Sequence, residues 1–179
     1  MRDLNKCALV VIDMQNDFID GALKNDAAIS IVDNVAKKIA TARIVGMPVI
    51  FTRDTHYENY METVEGKHLP VPHCIKDTEG WQITSELEVL EGDKVIDKPT
   101  FGSLELAEYL ATLDVDSIEI IGVCTDICVI SNAMLIKAKM PEKEIFVDAL
   151  CCAGVTPESH MNALKAMKMC HINVWNDIF

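Results

Sequence analysis

The 179-residue sequence lacks any apolar stretch long enough to cross a bilayer. Its longest mostly apolar runs, such as 8–12 and 118–123, fall far short of the roughly 20 residues a spanning helix needs. Positive charge is scarce: 16 Lys and Arg stand against 28 Asp and Glu, a formal net charge of −12. That balance argues against nucleic-acid binding, which calls for a basic face. No apolar signal core follows Met1-Arg2-Asp3-Leu4-Asn5-Lys6, so a cytoplasmic location is expected. There is no repeat, low-complexity tract or Pro/Gly/Ser-rich linker, and one domain over residues 1–179 is the simplest expectation. The seven cysteines are an odd count without the even spacing of a small secreted scaffold. They are read as reduced thiols. A special cysteine must then be special through its surroundings.

What is present is a recurring pattern. Short apolar runs at 7–12, 48–53, 94–97, 117–122, 144–147 and 172–175 alternate with segments whose apolar residues recur at three- and four-residue spacing. The helical segments include 29–44, 104–113, 127–139 and 157–169. Thr156-Pro157 reads as a helix start, a capping hydroxyl followed by proline in the first turn. Near-continuous apolar strands alternating with helices predict an α/β fold. It is a three-layer α/β/α, doubly wound, mostly parallel sheet of about six strands. The irregular part is 56–79, long for a loop and so suspected of carrying function.

In such folds ligands bind beyond the carboxyl ends of the strands. Asp13 follows the first run, Asp54 and His56 the second, Lys98 the third, and the segment from Cys124 to Cys128 the fourth. The most reactive side chains therefore fall at one rim. A helix beginning near Thr125 or Asp126, both good capping types, puts Cys128 in its first turn. There the positive end of the helix dipole favours a thiolate, and unpaired N–H groups suit an oxyanion. The bland alternative is that Cys124 and Cys128 are buried thiols. Asp13 supplies a proton acceptor, though an aspartate there also serves as a loop or cap residue. A lone lysine such as Lys98 is ordinarily a solvated surface group. Beside both groups, its ammonium is expected to lower both pKa values. Asp54, His56, Glu65 and His73 form a plausible divalent metal set, with His68, Glu58 and Glu62 as competitors.

These residues resemble the isochorismatase-like cysteine hydrolases, and within them the nicotinamidase (pyrazinamidase) branch, over nearly the whole chain. The resemblance rests on Val10-Val11-Ile12-Asp13-Met14-Gln15-Asn16-Asp17-Phe18, Arg53-Asp54-Thr55-His56, Pro72-His73-Cys74, Asp97-Lys98 and Gly122-Val123-Cys124-Thr125-Asp126-Ile127-Cys128-Val129. It implies a catalytic triad of Asp13, Lys98 and Cys128. It also implies a cis peptide before Cys124, with the N–H groups of Cys124 and Cys128 as the oxyanion hole. One divalent metal, commonly zinc, is implied on Asp54, His56 and His73, with Glu65 as the best-matching glutamate; iron and manganese suit the same ligands. The implied activity is hydrolysis of nicotinamide to nicotinate and ammonia through a cysteine thioester, with pyrazinamide as a side substrate and Phe18 against the ring. Self-association is allowed by the resemblance.

The chain departs from the family pattern where an aromatic residue often precedes the metal-binding stretch: Leu69 or Pro70 stands there. Tyr57 replaces a usual proline, Asp77-Thr78 a usual Gly-Thr, and Trp81 a small residue. Tyr57, Tyr60 and Trp81 are candidates for the missing aromatic wall, with core filling the competing role for Trp81. Two other readings stand beside the first. One is a related hydrolase of another small amide or carbamoyl compound; the other is a metal- or small-molecule-binding protein without turnover.

Overall fold

The computed structural model describes residues 4–177. Met1-Arg2-Asp3, the start of the segment inspected for an export signal, lies outside the described residues, as do Ile178 and Phe179. Six strands build one sheet: β1 (Cys7–Ile12), β2 (Val49–Asp54), β3 (Lys94–Lys98), β4 (Ser117–Val123), β5 (Glu144–Ala153) and β6 (Asn173–Trp175). Their order is β3-β2-β1-β4-β5-β6, and every pairing is parallel. The helices are α1 (Asn16–Ile19), α2 (Asp26–Ile44), α3 (Val64–His68), α4 (Leu104–Ala111), α5 (Ile130–Lys139) and α6 (Pro157–Met169). α2 lies across β1, β2, β4 and β5, while α4 packs on α5, α5 on α6, and α6 on β6. With both faces covered, every residue of β1 and β4 is buried, which is why β1 reads as an unbroken apolar run and β4 as one interrupted only at Ser117 and Glu119. No helix among the described residues is long and apolar enough to cross a membrane.

Three local expectations need correction. β5 runs to Ala153 rather than ending near Val147. Asp148 looks like a strand terminator, but its carboxylate lies 2.7 Å from Lys38 Nζ, which also bonds Glu119 of β4 at 2.8 Å. One ammonium from α2 thereby pairs with two acids inside the sheet. Second, the helix after β4 does begin at Thr125, but its first five residues, Thr125–Val129, form a π turn capped by Cys124 rather than by Thr125 or Asp126, and α geometry starts at Ile130. Third, the region 56–79 is not wholly irregular: it holds α3 and a bridge between His56 and Ile75. The reading at Thr156 does hold, since its hydroxyl accepts from Ser159 N–H at 3.1 Å.

Strands β2 and β3 lie on one side of β1, and β4 to β6 on the other. The winding reverses between β1 and β4, where their carboxyl ends open a crevice. Gly122 secures that junction. Its φ is +115°, and a Cβ there would sit 2.1 Å from Ile12 O on the neighbouring strand. Gly122→Ala is expected to cost about 2–5 kcal/mol, from strained backbone plus an overpacked sheet centre. Urea denaturation of the variant, read as a lowered midpoint at unchanged slope, checks this.

Candidate active site

Asp13 is the first residue past β1. It takes a left-handed backbone, φ 49°, which aspartate tolerates better than most side chains. Its N–H donates to Thr52 Oγ1 (3.2 Å), and the Thr52 hydroxyl donates back to Asp13 Oδ1 (2.6 Å). The other oxygen, Oδ2, meets Lys98 Nζ at 2.6 Å, a charge contact without hydrogen-bond alignment. Lys98, last residue of β3, is fully buried with its ammonium ringed by acceptors: Asp13, Asp54 Oδ1 (3.2 Å), Thr100 O (3.3 Å) and Cys128 Sγ (3.4 Å). The three residues of the expected triad therefore meet at one point, although they come from three separate strand ends.

The expected lowering of both pKa values is not what the structure holds. Burial pushes the Asp13 carboxyl up; Lys98 pulls it down and Asp54 pushes it up again. Burial likewise drives the Cys128 thiol well above its ordinary value, against the pull of Lys98. A single ammonium is shared among three groups, and the desolvation of two wholly buried acids outweighs it. Burial thus favours the protonated form of both Asp13 and Cys128, with Lys98 opposing. The thiol of Cys124 beside them is pushed up to about 12, burial again leading. The Val123–Cys124 peptide is cis, as the resemblance implies.

The second cluster adjoins the first through Asp54, the last residue of β2. Its Oδ1 faces Lys98, and its Oδ2 lies 3.1 Å from His56 Nε2 and 3.5 Å from His73 Nε2. Glu65 Oε1 completes the group at 3.6 Å from His56 and 3.8 Å from His73. Glu65 is thus the glutamate brought in, while His68 lines the cavity nearby and Glu58 and Glu62 stay out of the cluster. Local folding explains the assembly. His56 N–H donates to Cys74 O (2.9 Å) and Lys76 N–H to His56 O (2.8 Å), pairing the His73 segment with the end of β2. Thr63 caps α3 through Gly66 N–H (3.0 Å), which sets Glu65 in its first turn.

Four ligands held at about 2.1 Å around a tetrahedral ion lie about 3.4 Å from one another, close to the separations observed here. His73 Nδ1 lies 2.8 Å from Val71 O; this assigns its proton and leaves Nε2 as the ligand atom. The donor set fits a divalent ion. Burial acts against charge on His56, but Asp54 and Glu65 push it up to about 9. Burial also opposes charge on Asp54, yet Lys98, His56 and His73 hold it well below the usual carboxylate range.

Cys128 and the four residues of the second cluster line one cavity of about 1560 Å³, with Asp13 and Lys98 buried behind them. Phe18 lines it, its ring edge-on to His73 at 5.9 Å, and Leu69 stands in the wall. Tyr57 is a correction: it is 55% exposed and does not line the cavity. Nor does Trp81 or Tyr60 form the aromatic wall. Trp81 is buried, donating Nε1–H to Thr55 Oγ1 (2.8 Å) beneath the Arg53 guanidinium. Tyr60 is 1% exposed and backs the imidazoles of His56 and His73 at 4.7 and 5.1 Å. Sequence reasoning missed Phe101 and Ile127, which line the cavity. It also gave no role to Gln15, whose amide accepts from Asp54 N–H (2.7 Å) and donates to Asp54 O (2.9 Å) and Trp81 O (2.8 Å). A glutamine between β1 and the first short helix was the available sign.

The isochorismatase domain model matches residues 7–175. A probable inactive nicotinamidase of Arabidopsis thaliana is 32% identical, covering 90% of this chain and 87% of the relative. The structure of a pyrazinamidase of Pyrococcus horikoshii in complex with zinc is 27% identical at a TM-score of 0.83, covering 94% of this chain and 98% of that one. N-carbamoylsarcosine amidase from Thermoplasma acidophilum is 28% identical at a TM-score of 0.81, covering 94% and 95%.

Proposed function

The chain belongs to the isochorismatase family, and from that premise we propose that it is a metal-dependent nicotinamidase, hydrolysing nicotinamide to nicotinate and ammonia. The observation that carries the reading is the meeting of Asp13, Lys98 and Cys128 within 3.4 Å of one ammonium, beside a four-ligand cluster in the same cavity. The zinc named with the P. horikoshii pyrazinamidase adds support.

Asp54, His56, Glu65 and His73 would hold the metal, zinc foremost. Bound there, the ion offers a Lewis-acidic anchor for a ring nitrogen. The chain's residues do the rest. Phe18 and Leu69 confine the ring so that its carboxamide carbon faces Cys128. Asp13 takes the thiol proton as the S–C bond forms. The backbone N–H groups of Cys124 and Cys128 receive the oxyanion. Lys98 keeps the charge balanced while the proton sits on Asp13. That proton then passes to the amide nitrogen, the C–N bond breaks and ammonia leaves. Water, deprotonated by Asp13, opens the thioester, and the acid is released with Cys128 again a thiol.

A second reading, hydrolysis of another small amide or carbamoyl compound, draws on Leu69 in place of an aromatic wall and on the carbamoylsarcosine amidase likeness. Ammonia release from nicotinamide, pyrazinamide and a panel of small amides separates the two. Chelator-stripped protein is expected to lose at least about 10-fold in turnover and to melt at lower temperature, both restored by zinc. Turnover and melting indifferent to chelation would remove the metal from the proposal. Release from other amides alone would favour the second reading.

A further inference from the structure

We propose that Asn132 is a positioning residue that sets the approach of Cys128 to Lys98; this rests on the reading of those two as working groups. Asn132 lies on α5, fully buried, and does not line the cavity. Its side chain makes three hydrogen bonds. Nδ2 donates to Cys128 O (2.8 Å) and to Phe101 O (3.0 Å), and Oδ1 accepts from Ser103 N–H (2.9 Å). Only this orientation of the amide fits, because two carbonyls face one end and an N–H the other.

The partners are what make the contact informative. Cys128 sits in the π turn, where Val129 N–H reaches back to Cys124 O (3.0 Å); such a turn lacks the regular bonding that holds an α-helix in place. Phe101 and Ser103 belong to the segment that leaves β3 directly after Lys98. That segment is anchored at one end by Lys98 Nζ on Thr100 O (3.3 Å) and at the other by Ser103, whose hydroxyl caps α4 through Leu106 N–H (3.1 Å). Gly102 is packed so close to α5 that a Cβ would lie 2.6 Å from Leu135 Cδ1. One buried amide therefore ties the turn carrying the sulfur to the segment continuing from the ammonium. Removing it frees both to move apart, Phe101 and Cys128 being the cavity-lining residues it holds.

Two variants test this, Asn132→Ala and Asn132→Ser, the second keeping a short donor near Cys128 O that does not reach Phe101 and Ser103. With nicotinamide or whichever panel amide the wild type hydrolyses, kcat is expected to fall roughly 10- to 100-fold, the scale of a misplaced reacting group. KM should stay within about threefold, since the hydrogen bonds of Asn132 reach neither Phe18 nor Leu69. Alkylation of Cys128 by iodoacetamide, followed by peptide mass spectrometry, should slow by about tenfold as the sulfur loses its cation. The exposed Cys170 serves as the unchanged internal reference. Folded variants with wild-type kcat and Cys128 alkylation would overturn the proposal. So would a change confined to KM, or failure of both variants to fold, which would make the role wholly structural. If the wild type hydrolyses no amide, the functional reading falls, and the alkylation rates alone decide for or against Asn132.

Discussion

Cys128→Ala is expected to abolish amide turnover, by about 10⁴-fold or more, because loss of a nucleophile removes the covalent route itself. The substitution deletes one sulfur from a side chain that is 6% exposed, so stability should shift by no more than about 1 kcal/mol. That separation makes the result interpretable: the protein folds, keeps the arrangement of Asp54, His56, Glu65 and His73, and does nothing. Cys124→Ala is the matched control. Its thiol also faces the cavity, but the proposed role of Cys124 is carried by its backbone N–H, which alanine keeps. Turnover within about tenfold of wild type is expected there. Ammonia release measured under saturating amide, with intact-mass detection of an acyl adduct on wild-type protein, checks both. Persistent turnover in Cys128→Ala would end the cysteine mechanism.

The second large effect belongs to Lys98. Lys98→Met keeps the length of the buried stem and deletes the charge that contacts Asp13, Asp54 and Cys128. Two carboxylates, 0% and 2% exposed, are then left without their shared cation. Breaking a buried ion pair from one side costs about 3–5 kcal/mol, and turnover should drop by about 10³-fold or more as the charge balance of the transition state is lost. The pH dependence has a definite sign. Asp13 is already held above its ordinary value by burial, with Lys98 opposing; without Lys98 it rises further. A carboxyl whose folded pKa lies above its unfolded one favours the native state below the unfolded value and withdraws that support as pH rises through the folded value. The stability gap between wild type and Lys98→Met should therefore widen as pH rises above the ordinary carboxyl value in urea denaturation. A gap that narrows would contradict the burial account.

Much of the fold was legible because parallel strands covered on both faces have no polar side to show. The run at 7–12 reads as a strand since all its residues are buried. Asp148 misled because a charge within a strand is tolerated only when a distant residue neutralises it, and Lys38 on α2 is invisible from the local pattern. The π turn was equally hidden: the residues Thr125 and Asp126 suit a cap, yet Thr125 Oγ1 pairs with His160 Nδ1 (2.8 Å) and Asp126 accepts from Val155 N–H (3.1 Å). Their polar atoms are taken by contacts from beyond β5. Among the aromatics, Tyr57, Tyr60 and Trp81 look alike in sequence, because an amphipathic ring serves a core, a wall or a surface equally well. Only packing sorts them.

The chain alone determined which reactive groups stand at strand ends, since apolar runs end where polar residues begin and that boundary is local. Tertiary structure decided the rest. It placed β3, β2, β1 and β4 side by side, so that Asp13, Asp54, Lys98 and Cys128 converge. It also set the sense of their proton affinities. Neither is encoded in any short window: strand order depends on how helices cover two faces at once, and the cost of desolvating an acid depends on every atom packed around it.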